Sequence, residues 1–310
     1  MGAGGTLCSE KVETLWYKEL MRKSARQILQ AYMEAAKLRI MNMVLVTTTL
    51  GYVLGSGEGF SWFFLFCTLL GSGAAAAGSA VLNNYMERDS DALMDRTRGR
   101  ALPSGRIEPA GALAVGVLLV LGGVTFLAWQ VGLLCGFLVL LTAFLYVLVY
   151  TPLKRVSWIN TPVGAIPGAM PPLNGWVAAA GTMEPGAWVL FLILFAWQHP
   201  HFYAIAWMYR DDYAKGGIKM LPVVEPEGDR MFRQVVGFCI VLLSLSLIPT
   251  AIGLTGVFYL LGALSIGFMF LWYGMVVAHT RTVDDARRLL RASIIYLPAL
   301  LALIVLDLSF

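Results

Sequence analysis

The chemistry of this chain is concentrated in the stretch NNYMERDSDALMDRTRGR, residues 83–100. Asn83, Glu87 and Asp91 stand at positions i, i+4 and i+8. On a helix these drift only about 80° around the axis, so the three oxygen-bearing side chains share a face. Carboxylates on one face repel each other unless a cation sits between them. A hard cation such as Mg²⁺ takes oxygen ligands, characteristically one or two carboxylates plus the phosphates of a substrate. Arg88, Arg96, Arg98 and Arg100 lie beside them, and a guanidinium fork matches phosphate oxygens. The plainer reading of the same residues is a solvated loop whose charges neutralise one another.

A second charged cluster closes WQHPHFYAIAWMYRDDY, residues 197–213, with the pair Asp211 and Asp212. A helix continuing past Pro200 places Gln198, His201 and Asp212 within about 60° of one another. Between the clusters, YTPLKR at 150–155 adds Lys154 and Arg155. Two acidic clusters and a basic pair around one mouth are what a magnesium diphosphate needs. The metal neutralises the leaving group while the cations hold its free oxygens.

The elements that position these residues follow from composition. Of 310 residues, 58% are apolar and only 14% charged, with a mean hydropathy of +0.71. That is an integral membrane protein, and the long apolar stretches favour an all-α bundle over a barrel. Nine transmembrane helices are expected, near 40–57, 61–86, 109–129, 131–150, 161–181, 186–209, 232–252, 255–278 and 291–309. All 23 Lys and Arg then fall in the N-terminal segment or in loops on one side, while Glu58, Glu184 and Asp307 mark the other. The positive-inside rule makes the basic side cytoplasmic and places the N-terminus there. The organisation is a polar segment over 1–39, in part an interfacial helix from about Lys18 to Arg39, and one transmembrane domain over 40–310. No signal or transit peptide is legible, which points to a bacterial plasma membrane rather than a mitochondrial one. The four cysteines, Cys8, Cys67, Cys135 and Cys239, form no metal-binding spacing. The net charge of +4 suits anionic lipid and substrate but is too small to suggest nucleic acid.

The motifs NNxxERDxD, MxRT, YTxLKR, PGAxPPLxGW, WQxPHF and LPVV, in that order, are similar to those of the intramembrane UbiA-type prenyltransferases. WQHPHF at 197–202 and MLPVV at 220–224 resemble the haem branch of that superfamily, the protohaem IX farnesyltransferases or haem O synthases. The resemblance implies nine helices around a central cavity, with both acidic motifs facing the cytoplasm. It implies that farnesyl diphosphate and haem B are the substrates, that Mg²⁺ is the divalent cation, and that haem A synthase acts next. By position, Asn83, Glu87 and Asp91 would form the first magnesium-diphosphate motif, and Asp211 and Asp212 the second, with Asp212 the metal ligand. Lys154, Arg155, Arg96, Arg100, Lys37 and Arg39 would bind the diphosphate. Glu87 departs from the family's usual Asp and reaches about one methylene further; Ala101 stands where Pro is usual.

A haem substrate must be held, and neutral imidazole is a common axial ligand. Within the resemblance His201 is the favoured haem contact, His199 a second, with Gln198 and Trp197 beside them. The bland alternative is core packing, which also fits Phe202, Tyr203 and Trp207. His279 is expected in solvent. Two other functions suit parts of the pattern: prenylation of a quinone precursor or other aromatic ring, and transport through a helix broken at Pro162, Pro167, Pro171 and Pro172.

Overall fold

The computed structural model describes residues 26–308. Among them nine long helices occur where nine spans were expected. They are α1 (Leu38–Ser56), α2 (Trp62–Asp91), α3 (Pro109–Gln130), α4 (Leu133–Val156), α5 (Asn160–Ala180), α6 (Pro185–Met208), α7 (Asp229–Leu245, with a further turn at Ile248–Ala251), α8 (Val257–Thr280) and α9 (Val283–Leu306). Eight are long and apolar enough to cross a membrane. The exception is α5, which is long enough but interrupted by Pro167, Pro171 and Pro172 and carries Asn160 and Asn174. It tolerates them because it is enclosed by protein: Asn160, Thr161, Asn174 and Trp176 are all buried. The helix contacts α1, α4 and α6, so its polar groups do not meet lipid. α6 then joins this half of the bundle to α7 and α9, and α8 packs against those two.

Several helices outrun the apolar stretches that announce them. α2 carries on through the charges to Asp91 instead of stopping near 86, which preserves the helical spacing of Asn83, Glu87 and Asp91. α9 starts at Val283, eight residues before the expected 291. The Thr282 hydroxyl caps it by accepting from the Asp285 amide at 3.2 Å, and Arg287 and Arg288 pair back to Asp284 and Asp285. Of the expected interfacial helix, residues 26–35 are helical and end in a turn at 36–37; residues 1–25, Cys8 included, lie outside the described residues. Ile28, Leu29 and Met33 are exposed on it. Cys67, Cys135 and Cys239 are free and buried, and His279 is exposed.

The acidic helix is fixed laterally by small residues. Gly71 and Gly78 of α2 face Gly123 and Gly116 of α3, so the two backbones come close. A Cβ on Gly78 would lie 2.6 Å from the Gly116 carbonyl oxygen, with nothing flexible to yield. Gly122, on the same α3, faces open space. Gly78→Ala is therefore expected to destabilise the protein by about 1–3 kcal/mol through overpacking. Gly122→Ala, by contrast, should be neutral or slightly stabilising from helix propensity alone. Thermal unfolding of the two variants in one detergent checks the contrast.

Candidate active site

Asn83, Glu87 and Asp91 are buried on one face of α2, with exposures of 0%, 7% and 1%. Each is met by a cation from a different place in the chain. Lys37 Nζ donates to Asn83 Oδ1 at 2.7 Å. Lys154 Nζ donates to Glu87 Oε1 at 2.6 Å. Arg100 Nη1 reaches both oxygens of Asp91, at 3.0 and 2.8 Å. Buried carboxylates require such partners, since an unpaired buried charge costs about 3–5 kcal/mol.

Local structure explains how each cation arrives. Lys37 sits in the turn before α1 with φ 53° and ψ 54°, the left-handed region. For a residue with a Cβ that costs roughly 1–2 kcal/mol, a strain of the kind that collects at functional sites. Lys154 lies in the last turn of α4, after a π-helical stretch at Leu145–Tyr150. That stretch offers the Tyr146 carbonyl to the Thr151 hydroxyl at 2.9 Å, and Thr151 in turn accepts from Asn83 Nδ2 at 2.9 Å. The Tyr150 ring lies under the Lys154 ammonium, 4.4 Å from its centroid. Arg100 is delivered by the loop after α2. The Thr97 hydroxyl ties that loop to the Asp91 carbonyl, and Arg106 ties it to Gly99 O and Glu34.

Asp212 lies against the same loop. Its carboxylate accepts from the Asp95 amide at 2.8 Å and, weakly, from the Arg96 amide at 3.4 Å. Arg96 stacks over the rings of Tyr209 and Tyr213 and donates to the Tyr213 hydroxyl. Lys215 bonds Asp95 at 2.6 Å and thereby holds its carboxyl below the usual range. The two charged loops, about 117 residues apart in sequence, are thus fastened to each other. Arg155 lines a cleft of about 300 Å³ with Glu87, Ser90, Thr151, Lys154 and Ile218. Arg39 is exposed at the start of α1. The Asp211 side chain is 94% exposed and turns to Arg210, away from the carboxylates of α2.

The oxygen donors of α2 do not converge into an all-protein metal cage, and no group of three His, Cys, Asp or Glu does so among the described residues. An amide and two carboxylates in a row, flanked by cations, are instead the donor set that Mg²⁺ shares with phosphate oxygens. The residues fit a metal brought in on a diphosphate.

The model of the UbiA prenyltransferase family matches residues 44–297, from within α1 into α9. This chain belongs to the UbiA prenyltransferase family. Among curated proteins, the protoheme IX farnesyltransferase of Solibacter usitatus is 46% identical over 285 residues, covering 89% of this chain and 98% of the relative. That of Salinibacter ruber is 43% identical over 276 residues, with the same coverage. Solved structures share the fold. A digeranylgeranylglyceryl phosphate synthase aligns over 90% of this chain and 98% of its own at a TM-score of 0.77 and 16% identity. A UbiA homologue from Archaeoglobus fulgidus bound to GPP and Mg²⁺ covers 87% of this chain and 99% of its own at 0.56 and 17% identity.

In this UbiA bundle the α6 residues serve a different region from the acidic row. The expected shared face of Gln198, His201 and Asp212 does not form, because the helix breaks at Tyr209 (φ −116°, ψ 21°) before restarting at Arg210–Lys215. Gln198 turns to α5, donating to Ala165 O at 3.3 Å, and only a glycine at 168 leaves room for its amide. Trp197 Nε1 donates to Ser293 O of α9 at 2.9 Å. The hydroxyl of that same Ser293 donates to Leu290 O, so it accepts from Nδ1–H of His201 at 2.7 Å. His199 donates Nδ1–H to Phe195 O at 2.8 Å. Both imidazoles therefore carry their lone pair on Nε2, and in His199 that atom is buried without a partner. Tyr203 bonds Gln234, and Trp207 bonds Arg281 O, so these aromatics pack α6 to its neighbours.

Thr151, Tyr150, Arg106 and Ser293 escape sequence reasoning. The first two lie inside the YTPLKR motif, but nothing there reveals the π-helical turn that aims them.

Burial lowers the Lys37 ammonium to about 8, against the opposing pull of Glu87 and Asp91. An anion is attracted by the charged form, which prevails below that value and is lost above it. Raising the pH from about 7 to about 9 should weaken the binding of pyrophosphate or an unreactive prenyl diphosphate by up to about tenfold. Lys37→Arg, which stays charged, should flatten the profile. Calorimetric titration across that range reads both.

Proposed function

We propose that this chain transfers a farnesyl group from farnesyl diphosphate to a vinyl group of haem B, giving haem O and diphosphate. The observation that carries this is the buried row Asn83–Glu87–Asp91, each member held by its own cation. It occurs in a chain 46% identical, over nearly its whole length, to a protoheme IX farnesyltransferase. The row is a leaving-group site, and the relative's name supplies the acceptor.

We assign the divalent cation as Mg²⁺, held by Asn83, Glu87 and Asp91 and, across the loop contact, by Asp212. The fold-mate from Archaeoglobus fulgidus, bound to GPP and Mg²⁺, supports that choice. When bound, the metal neutralises charge on the diphosphate oxygens as the bond to carbon breaks. Lys37, Lys154 and Arg100, released from their present partners, together with Arg155 and Arg96, hold the remaining oxygens. Arg39 and Asp211, at the rim, add long-range charge only. The C1–O bond breaks with its electron pair leaving on diphosphate, and a new C–C bond joins C1 to the outer vinyl carbon. The cation then left beside the porphyrin takes a water oxygen and releases a proton, giving the hydroxyethylfarnesyl group. Apolar helix walls exclude water until that last step. His201 contacts the haem through its Nε2 lone pair, with the Trp197 ring stacked on it, and His199 is a second contact. This route requires no covalent nucleophile.

Nine crossings with a cytoplasmic N-terminus fit the concentration of every Lys and Arg at one end of the spans. The bacterial relatives support an inner-membrane enzyme, whose product haem A synthase would take onward.

Purified protein in detergent, given haem B, farnesyl diphosphate and Mg²⁺, should form haem O by mass spectrometry, and EDTA should abolish it. Asp91→Asn is expected to lower kcat by about 10²–10³-fold with the fold intact. Release of diphosphate with haem B unmodified would exclude haem as the acceptor.

A further inference from the structure

A second cleft, of about 350 Å³, runs along α7 and is lined by Arg230, Arg233, Gln234, Gly237, Phe238 and Val241. These positions recur every three or four residues, so they form one face of the helix. The face is graded: two guanidiniums at the end nearest the charged loops, then a polar amide, then an apolar floor. Gly237 keeps the floor open, since a Cβ there would meet nothing within 4 Å. Arg230 lies over the Trp158 ring, 5.2 Å from its centroid, and 3.5 Å from Glu225. Arg233 is exposed and has no hydrogen-bond or ion-pair partner among the described residues.

The floor leads directly to the histidine with the unused nitrogen. Phe238 stacks flat on His199, with centroids 3.6 Å apart and planes at 9°. His199 is wholly buried, and its Nε2 has no partner. Phe238 is therefore the wall between the groove and a buried histidine whose Nε2 has no partner. Buried polar atoms in native folds are ordinarily satisfied, and an exception points to a group that completes it.

We propose that this groove seats the carboxylate edge of the porphyrin substrate, a deepening that rests on the haem reading above. Two cations at one end match two carboxylates on one edge of a flat ring. The apolar floor and Phe238 match the ring itself. The volume is near the lower end of the range for ligand pockets, about 300–1,000 Å³, which suits one edge of a porphyrin rather than the whole. The seat orients the ring: with the carboxylates fixed on α7, the vinyl-bearing edges are turned away from the arginines.

The test is spectroscopic titration of the detergent-purified full chain with haem B and with its dimethyl ester, which keeps ring and iron but carries no carboxylate charge. The wild type should bind haem B at least about tenfold more tightly than the ester. Arg230→Gln/Arg233→Gln should lose that preference while still binding the ester as the wild type does. Gly237→Leu, whose Cβ would meet nothing within 4 Å and whose side chain would occupy the groove, should weaken both ligands, with an unchanged melting temperature showing that the fold survives. Equal binding of acid and ester by the wild type, or an unchanged preference in the double variant, overturns the groove and leaves the haem reading standing. Loss of anionic-lipid binding alone in the double variant also overturns it, marking the groove as a headgroup site. Failure of the wild type to bind either porphyrin removes the haem reading and the groove together.

Discussion

Two carboxylates and an amide are taken out of water on one face of α2, and the architecture of the charged end follows from the need to satisfy them. Glu87 and Asp91 cannot stay ionised in that setting without cations in contact. The cations come from the turn before α1, from the last turn of α4 and from the loop after α2. Each pairing fixes the register of the element that donates it. The glycine seam between α2 and α3 then holds the acidic face in place from the other side. A ligand that carries both signs, an anion with its metal, can take over these pairings one for one without leaving a buried charge alone.

Much of this was legible in the sequence because helical periodicity and apolar run length are local properties. The i, i+4, i+8 spacing put the three acceptors on one face, and the apolar runs announced where the long helices lie. Which cation meets which acceptor was not legible, since Lys37–Asn83 and Lys154–Glu87 close gaps of 46 and 67 residues. The break at Tyr209 was hidden as well. No glycine or proline marks it, and the restarted turn is held by Asp212 capping backbone amides in the other loop. At α9 the error ran the other way. A charged run read as a loop is a helix, because Thr282 and the i, i+3 ion pairs satisfy it locally.

Glu87 reaches Lys154 at 2.6 Å while α2 stays packed against α3. The two histidines of α6 follow a similar logic. Both commit Nδ1 to a nearby oxygen, one to a backbone carbonyl and one to a serine whose own hydrogen is already engaged. Their tautomer is therefore fixed by packing, before any ligand arrives.

The placement of α5 bears on how the protein is made. The helix at the centre of the bundle is the one whose hydropathy falls short of its neighbours', with three prolines inside it and two asparagines buried along it. A segment of that kind partitions poorly into lipid alone. Its entry into the bilayer then depends on surfaces already laid down by the earlier helices α1 and α4, and it stays shielded only once α6 has closed over it. Biogenesis is in this sense ordered by the same residues that keep the centre polar.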